Sequence, residues 1–574
     1  MASVAVASDI LRPVRRRIAL REQHPRIAQA IALRHNLHPV AARVLAARGF
    51  RDDDSLSLYL SPSLREGLPE PEGLKNLDAA SQLIASTISR GESIAICCDF
   101  DVDGLSGGSQ VHHFLHCVGA DSKVFVPDRF TEGYGLNEGM VRSIASEGRR
   151  LLIAIDFGTT NEAQLNLARE LGLKTIVIDH HHVGAHRPAA DVFVNPQQPG
   201  CGFAEGVLSA SGLAWYLLVA LRKDLPAARS VDVREYLDLA CLGTICDMVP
   251  LRGANRVIAK RGLEQLAKSK RPGLRALMKL SGVNREVSCY HVSFGIGPRI
   301  NAAGRMVHGE SVIELLATSD SVQAEKLAHR LNRLNAERQE MEQRVKERAV
   351  KELERRVELP SGIVIWDPDF HTGVVGIVAQ RLVEMFYRPS AVMGVDQDGN
   401  FKGSVRGIRG LNVVEVLEAT APHLIKFGGH EGAGGFSVTP QNVAAFADAF
   451  DRECRLRMRT LDLEPKAEAD TMITLGELDV ELVEHLKNFA PFGMGNPAPS
   501  VLVEGLKVKE TRVLKGTHLK VLLTDGTRYL QGMLWRETSH PALLPGKIVR
   551  VVCRPELNTY GGVTDIQANI QAVE

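Results

Sequence analysis

The stretch Ser93-Ile94-Ala95-Ile96-Cys97-Cys98-Asp99-Phe100-Asp101-Val102-Asp103-Gly104 decides the fold. Its first six residues form a short apolar run, the pattern of a strand buried on both faces. Three aspartates then follow at alternate positions. Carboxylates so spaced repel one another unless a cation holds them together. Working outward, apolar runs of the same kind recur at residues 123–126, 151–155, 175–178 and 192–194, with helical or loop stretches between them. This is a βαβ succession, which predicts a parallel sheet covered on both faces. In such sheets the functional crevice lies outside the carboxyl ends of the strands. Chemistry-bearing residues stand there. Ile155-Asp156-Phe157-Gly158 ends one strand and Asp179-His180-His181-His182 ends another. Asp247 closes Gly243-Thr244-Ile245-Cys246-Asp247 after a helical run.

An aspartate after a strand is commonly a helix cap, and tandem histidines are commonly surface residues. Four acidic or histidine sites at successive element ends are better explained by metal. Carboxylates with one or two imidazoles favour a hard or borderline ion such as Mn²⁺ or Mg²⁺. There are enough carboxylates for two divalent cations, the arrangement that activates water and steadies an in-line displacement at phosphorus. Gly-x-Gly-x-x-Gly and Gly-Lys-Ser/Thr are absent, so no phosphate loop competes with this reading.

The 574 residues are too many for one core, and roughly three or four domains are expected. The formal net charge of +1 argues against a generally basic protein but leaves room for local basic grooves. Nine cysteines are scattered without a C-x-x-C pair or zinc spacing. Cys97 and Cys98 read as small buried hydrophobes, and a reducing cytoplasm fits best. Arg12, Arg15, Arg16 and Arg17 are not followed by an apolar segment, so no signal peptide is expected. The longest apolar stretch, residues 207–221, contains two serines and a glycine and reads as a buried helix, not a membrane span.

Residues 1–75 read as an N-terminal region of short helices, and residues 76–320 as the metal domain. Over residues 321–357, Leu327, Leu331, Leu334, Met341 and Val345 recur at three-, four- and seven-residue steps, which predicts one long helix. It is either a spacer or a helix lying flat on one domain. A second α/β segment spans residues 358–460. From residue 466 to 574 the runs 501–508, 518–523, 529–535, 548–552 and 566–573 predict a five-stranded barrel of OB type.

Asp-x-Asp-x-Asp-Gly, Asp-x-Gly, Asp-His-His and Gly-Thr-x-x-Asp, in this order, resemble motifs I to IV of the DHH phosphoesterase superfamily. Gly428-Gly429-His430-Glu431-Gly432-Ala433-Gly434-Gly435 resembles the GGH signature of the DHH-associated domain. Pro127-Asp128-Arg129 with Gly133-Tyr134-Gly135, Gly297-Pro298-Arg299-Ile300-Asn301-Ala302-Ala303-Gly304-Arg305-Met306 and Pro491-Phe492-Gly493 with Gly495-Asn496-Pro497 are similar to RecJ-type exonucleases within it, the last at the start of their OB domain. The likeness covers roughly residues 40–574. Cys97-Cys98 and the third histidine, His182, depart from the pattern without touching an expected ligand.

The resemblance implies a two-metal, single-strand-specific 5′→3′ exodeoxyribonuclease releasing 5′-mononucleotides in DNA repair and recombination. One ion would be held by Asp101, Asp156 and Asp99. The other would be held by Asp103, His180 and Asp247, with Asp156 bridging. His181 and Arg305 would meet the scissile phosphate, and Asp179 would orient the histidines. Arg299 would be either a second DNA contact or a structural pair, and Asn301 lies in the same DNA-binding signature. A 5′-phosphate pocket would combine Arg129, Ser404 and Arg406 with the amides of a Gly428-Gly429-His430 turn, in a cleft reached through the long helix. Tyr134 would stack on a base. The barrel would hold the strand and would not be needed for chemistry. The substrate implied is single-stranded DNA with a 5′ end. A single-strand-binding protein and a RecQ-type helicase are the protein partners implied, and a monomer is expected. Two alternatives stand beside this reading. One is a phosphodiesterase of the same superfamily acting on short oligonucleotides or cyclic dinucleotides. The other is a non-catalytic scaffold.

Overall fold

The computed structural model describes residues 15–129, 131–283, 286–560 and 562–574. Arg12 and the rest of residues 1–14 lie outside the described residues. The chain forms two compact units, one of Arg51–Asn335 with Leu486–Ala498, the other of residues 15–50 with Ala336–His485 and Pro499–Glu574.

The first unit is built on five parallel strands, Ile94–Cys98, Ser122–Phe125, Leu151–Ile155, Lys174–Ile178 and Val192–Val194. In space the second strand lies outside the first, and the third, fourth and fifth follow on the other side. Alternate side chains enter two cores, as the pleat requires. Ile94, Ile96, Cys98, Ile153 and Ile155 pack with helices Leu77–Ser89, Val102–Cys117 and Ala210–Asp224. Ala95, Cys97, Leu152, Ala154 and Val177 pack with helices Glu138–Ser146 and Glu162–Glu170. The order reverses between Ile94–Cys98 and Leu151–Ile155, the switch point at which open α/β sheets bind ligands.

A single helix, Ser321–Glu354, serves both units. Its first half sends Ala324, Ala328 and Leu331 into the core of the first. Its second half sends Val345, Ala349 and Leu353 into a core of the second. The second unit holds a five-stranded sheet in the spatial order Lys426–His430, Ala433–Val438, Phe401–Arg406, Ser390–Val395, Ile363–Trp366. It also holds a closed five-stranded barrel. There Val501–Leu514 pairs with both His518–Thr524 and Ile548–Tyr560, and Val563–Val573 lies between Ile548–Tyr560 and Tyr529–Leu534. The expected fold class therefore holds. Among the described residues no helix is long and apolar enough to cross a membrane.

One expectation is corrected. The N-terminal region is not purely helical, because Arg17–Leu20 is a strand paired in parallel with Lys466–Ala469. Four residues carry no readable period, and the hydrogen bonds that make them a strand come from a segment far away in sequence. The Pro491-Phe492-Gly493 segment precedes the barrel strand Val501–Leu514, as expected, but does not pack with it. Leu486–Ala498 folds into the first unit. There the buried guanidinium of Arg256 donates to the carbonyls of Tyr59, Phe489 and Ala490 at 3.0–3.1 Å. Asn496 closes the loop by donating to the carbonyls of Phe489 and Pro491.

Candidate metal centre

The strands end in register. Cys98 is level with Ile155, Ile155 with Ile178, and Ile178 with Val194. The next residues, Asp99, Asp156, Asp179 and Asn195, therefore stand in one row across the carboxyl edge of the sheet. The chain turns sharply there. Asp156 has φ of 70°, a left-handed conformation that aspartate tolerates at a cost. Asp101 caps helix Val102–Cys117 by accepting from the amides of Asp103 and Gly104 at 2.9 and 3.2 Å. A Cβ at Gly104 would lie 2.6 Å from backbone atoms of Asp99, so only glycine lets this helix start against the strand end.

Ligand-competent atoms gather in three groups, Asp99 with Asp101 and Asp156, Asp103 with His180 and Asp247, and Asp156 with His180 and His181. The first two are the sets expected. His180 Nε2 joins them, lying 3.2 Å from Asp156, 3.6 Å from Asp247 and 3.8 Å from Asp103. Burial and mutual repulsion push Asp99 and Asp156 well up from the usual carboxylate range, and Asp101 up as well. The same two causes raise Asp247 to about 8. Burial holds His180 low, in the neutral state a metal ligand needs. Asp99 Oδ1 and His180 Nε2 are buried without a hydrogen-bond partner. Orphaned acceptors among crowded carboxylates are what a divalent cation would satisfy, so the residues fit the ions. Asp103 is fixed from behind, accepting from the amides of Ala210 and Ser211 at 2.7 and 2.9 Å at the start of helix Ala210–Asp224.

Asp179 Oδ1 accepts from the amides of His180 and His181 and from His181 Nδ1 at 2.7 Å. Its Oδ2 accepts from the amide and hydroxyl of Thr159 at 3.0 and 2.6 Å. Burial opposes the charged state of His181, but the Asp179 bond and charge outweigh it and raise the imidazole to about 9. Tyr134 is 54% exposed and edge-on to Phe100 and His181, and its hydroxyl donates to the carbonyl of Asp156 at 3.1 Å. Its ring is therefore no core residue.

Arg129 lies over the ring of Phe100, 5.2 Å from its centroid, within the field of Asp99 and Asp101. It stands with the acid cluster, while Ser404 and Arg406 form a group in the other unit. Arg305 sits in the last turn of helix Gly297–Met306. Gly304 of that turn meets the Phe100 carbonyl so closely that a Cβ would lie at 2.5 Å. Asn301 accepts from the amide of Val102 at 3.1 Å, so its oxygen ties the signature helix to the aspartate loop. Arg299 donates to Asn332, Gly295 and Leu280, and these bonds favour the structural alternative left open for it.

In the second unit Gly435 is paired with both Gly428 and Ser404, and Ala433 with both His430 and Arg406. Gly428, Gly429 and His430 thus belong to an edge strand, not to the amide-lined turn expected. The run of glycines reads as a turn, but strand pairing runs through the backbone and needs no side chains. A Cβ at Gly429 would lie 2.3 Å from the Ala433 carbonyl. Arg406 Nη1 donates to Ser404 Oγ at 2.7 Å. Both side chains lie against Gly376 in the first turn of helix Val375–Phe386.

Family models match in three places: the DHH family, N-terminal domain over residues 93–244, the DHHA1 domain over 359–456 and the RecJ OB domain over 469–572. The single-stranded-DNA-specific exonuclease RecJ of Bacillus subtilis is 35% identical over 545 residues, covering 94% of this chain and 68% of that protein. The Escherichia coli RecJ is 31% identical over 562 residues, covering 94% and 96%. The chain belongs to the RecJ family. A crystal structure of RecJ from Thermus thermophilus in complex with Mn²⁺ superposes with a TM-score of 0.83 at 31% identity, covering 97% of this chain and 80% of that one. A second structure of the Thermus RecJ is in complex with Mg²⁺.

Within this RecJ-family centre, three supporting residues escaped the reading of the sequence. Asn195 donates to the carbonyl of His181 at 2.9 Å and to Thr159 Oγ1 at 3.3 Å. Gln197 donates to the carbonyl of His180. Thr159 completes the set around Asp179. A signal existed for Asn195, since a buried polar residue directly after the apolar run 192–194 repeats the pattern of Asp156 after 151–155. Thr159 and Gln197 act through contacts that no spacing announces.

Proposed function

We propose that this chain is a 5′→3′ exonuclease that removes mononucleotides from single-stranded DNA with two divalent cations. The observation that carries the proposal is the pair of donor triples around Asp156 at the switch point of the sheet. When bound, Mn²⁺ or Mg²⁺ would neutralise the carboxylates, lower the pKa of water and polarise the scissile phosphate. Asp99, Asp101 and Asp156 would hold one ion and Asp103, His180 and Asp247 the other, with Asp156 shared. Asp179 fixes the imidazole of His181 through Nδ1, so that its Nε2 would be turned toward a phosphate oxygen. Arg305 would offer a planar fork to the same phosphate. The complete donor set counts against a non-catalytic scaffold.

Polarity rests on a second anion site. Ser404 and Arg406 meet the first turn of helix Val375–Phe386 at Gly376, and the amides of a helix N-terminus favour a phosphate. The 5′-phosphate would bind there. The exposed ring of Tyr134 would stack on a base and Arg129 would meet the backbone beside the metals. A monomeric state, a cytoplasmic location, and docking of a single-strand-binding protein or a RecQ-type helicase belong to the same proposal.

Digestion of 5′- and 3′-labelled single and double strands with Mn²⁺, Mg²⁺ or EDTA tests it. Release of the 5′ label first, from single strands only and only with metal, is the expected result. Release of the 3′ label first, or full activity in EDTA, refutes it.

A further inference from the structure

Far along the chain from the metal ligands, the end of the long helix and the strand Ile363–Trp366 enclose a cavity of about 310 Å³. Arg348 and Lys351 stand three residues apart near the end of the long helix, and Arg355 follows directly after its last residue, Glu354. Together with Arg356 they line the cavity opposite Trp366. The carboxylates present are Glu352 and Asp367. Four cations line the cavity with two carboxylates, and Asp369 pairs with Arg348 beside it, which leaves an excess of one positive charge. Arg348 is committed, bonded to Asp367 and lying 3.3 Å from Asp369. Arg355 and Arg356 share Glu352 at 3.9 and 4.0 Å. Lys351 has no ion-pair partner among the described residues. Cations in a last helical turn ordinarily serve the helix dipole. The dipole, however, does not call for a tryptophan. The other residues of the strand are buried, yet the Trp366 indole is 40% exposed beside these cations.

We propose that this groove is a second nucleotide-binding site. It takes an aromatic base joined to phosphate, the base against Trp366 and the phosphate on Lys351, Arg355 and Arg356. The cavity matches the lower end of small-ligand pockets, roughly 300 Å³, which suits one nucleotide. Exposed aromatics beside cations are the sequence-neutral way to hold single nucleotides or single strands. The inference is independent of the metal centre and of the direction of digestion.

Trp366 is its own reporter. The chain has three tryptophans. Trp215 is buried, and Trp535, which is 52% exposed, is silenced by Trp535→Phe. The full-length Trp535→Phe protein in EDTA is titrated with dTMP and, separately, with (dT)15, following tryptophan emission. Saturable quenching by both assigns a pocket for a free nucleotide. Saturable quenching by the strand alone assigns a contact along bound DNA. Lys351→Glu with Arg355→Glu, both exposed positions, is expected to weaken the quenching ligand about tenfold or more while the melting temperature stays within about 2 °C. No quenching up to millimolar ligand, or quenching unchanged by the charge reversal, overturns the proposal. A digestion assay on the same reversed protein keeps this outcome separate from any failure of the metal centre.

Discussion

Replacing Asp179 by asparagine removes one charge from the centre without removing a proposed metal ligand. The native carboxylate accepts five hydrogen bonds, three on Oδ1 from His180 and His181 and two on Oδ2 from Thr159. Asparagine offers one oxygen. If it keeps the histidine side, its amide faces the Thr159 N–H, and a buried donor is left unsatisfied at a cost of about 1–3 kcal/mol. The bond to His181 Nδ1 also loses its charge assistance, worth about 1.5–3 kcal/mol in its ionised form. The expected loss of stability is therefore about 2.5–6 kcal/mol, with the sheet intact. The functional loss is larger in relative terms, because His181 loses the charge that raises it and its ring loses its anchor. Loss of one preoriented donor to a developing phosphate charge costs roughly 10²–10³ in kcat. Single-turnover digestion of a short oligonucleotide at saturating Mn²⁺ measures this, with Mn²⁺ affinity by calorimetry as the control. A folded Asp179→Asn protein with kcat within about threefold of the parent would refute the reasoning, as would one whose defect lies wholly in Mn²⁺ affinity.

Three further outcomes are expected. Asp99, Asp101, Asp156 and Asp247 have raised pKa values in the metal-free fold, Asp247 to about 8. Their stabilising contribution is present at low pH and lost as pH rises through those values, so the gain in Tm on adding Mn²⁺ should grow from pH 6 to pH 8, and a constant or shrinking gain would contradict it. Arg406→Ala should cost about 1.5–3 kcal/mol on 5′-phosphorylated ends, and an equal loss on 5′-hydroxyl ends would make Arg406 a general backbone contact. A chain cut at residue 465 should not leave a clean catalytic core, because it strips the carbonyls of Phe489 and Ala490 from buried Arg256 and the carboxylate of Asp470 from Arg48. A stranded buried cation costs about 3–5 kcal/mol, roughly 10 °C of Tm in a unit of this size, and melting at the full-length temperature would refute this account.

That last outcome shows where the sequence misleads. The five sheet strands and the long helix announce themselves through local pattern. Each lies in a contiguous segment whose period of burial is written in its own residues, and the observed helix Ser321–Glu354 falls inside the expected stretch. The strand Arg17–Leu20 and the loop around Pro491 have no such local cause. One exists because Lys466–Ala469 offers it hydrogen bonds, the other because Arg256 finds acceptors and Tyr59 a ring and an acceptor in it. Reading composition along the chain draws the boundary at residue 466, close to the start of the RecJ OB match at 469, and these non-local pairings cross it.

The metal centre obeys the same distinction. Its candidate ligands are legible because a parallel sheet converts sequence order into spatial order. Residues that directly follow in-register strands must stand side by side, so Asp99, Asp156 and Asp179 could be placed together before any coordinate was known. Asp179, which orients the histidines, shares that strand-end signal, whereas Thr159 and Gln197 are selected by distance and angle, and nothing in their spacing marks them. Asn195 is the intermediate case. It occupies a strand end like the aspartates, but its neutral amide gives no hint of cation chemistry. The Gly428–His430 segment shows the converse error, in which a composition that suits an anion-binding turn equally suits an edge strand whose neighbours, Ser404 and Arg406, lie two strands away. Charge crowding is what makes a site readable in one dimension, because repulsion between buried carboxylates has to be offset by something. Hydrogen-bond geometry becomes readable only in three.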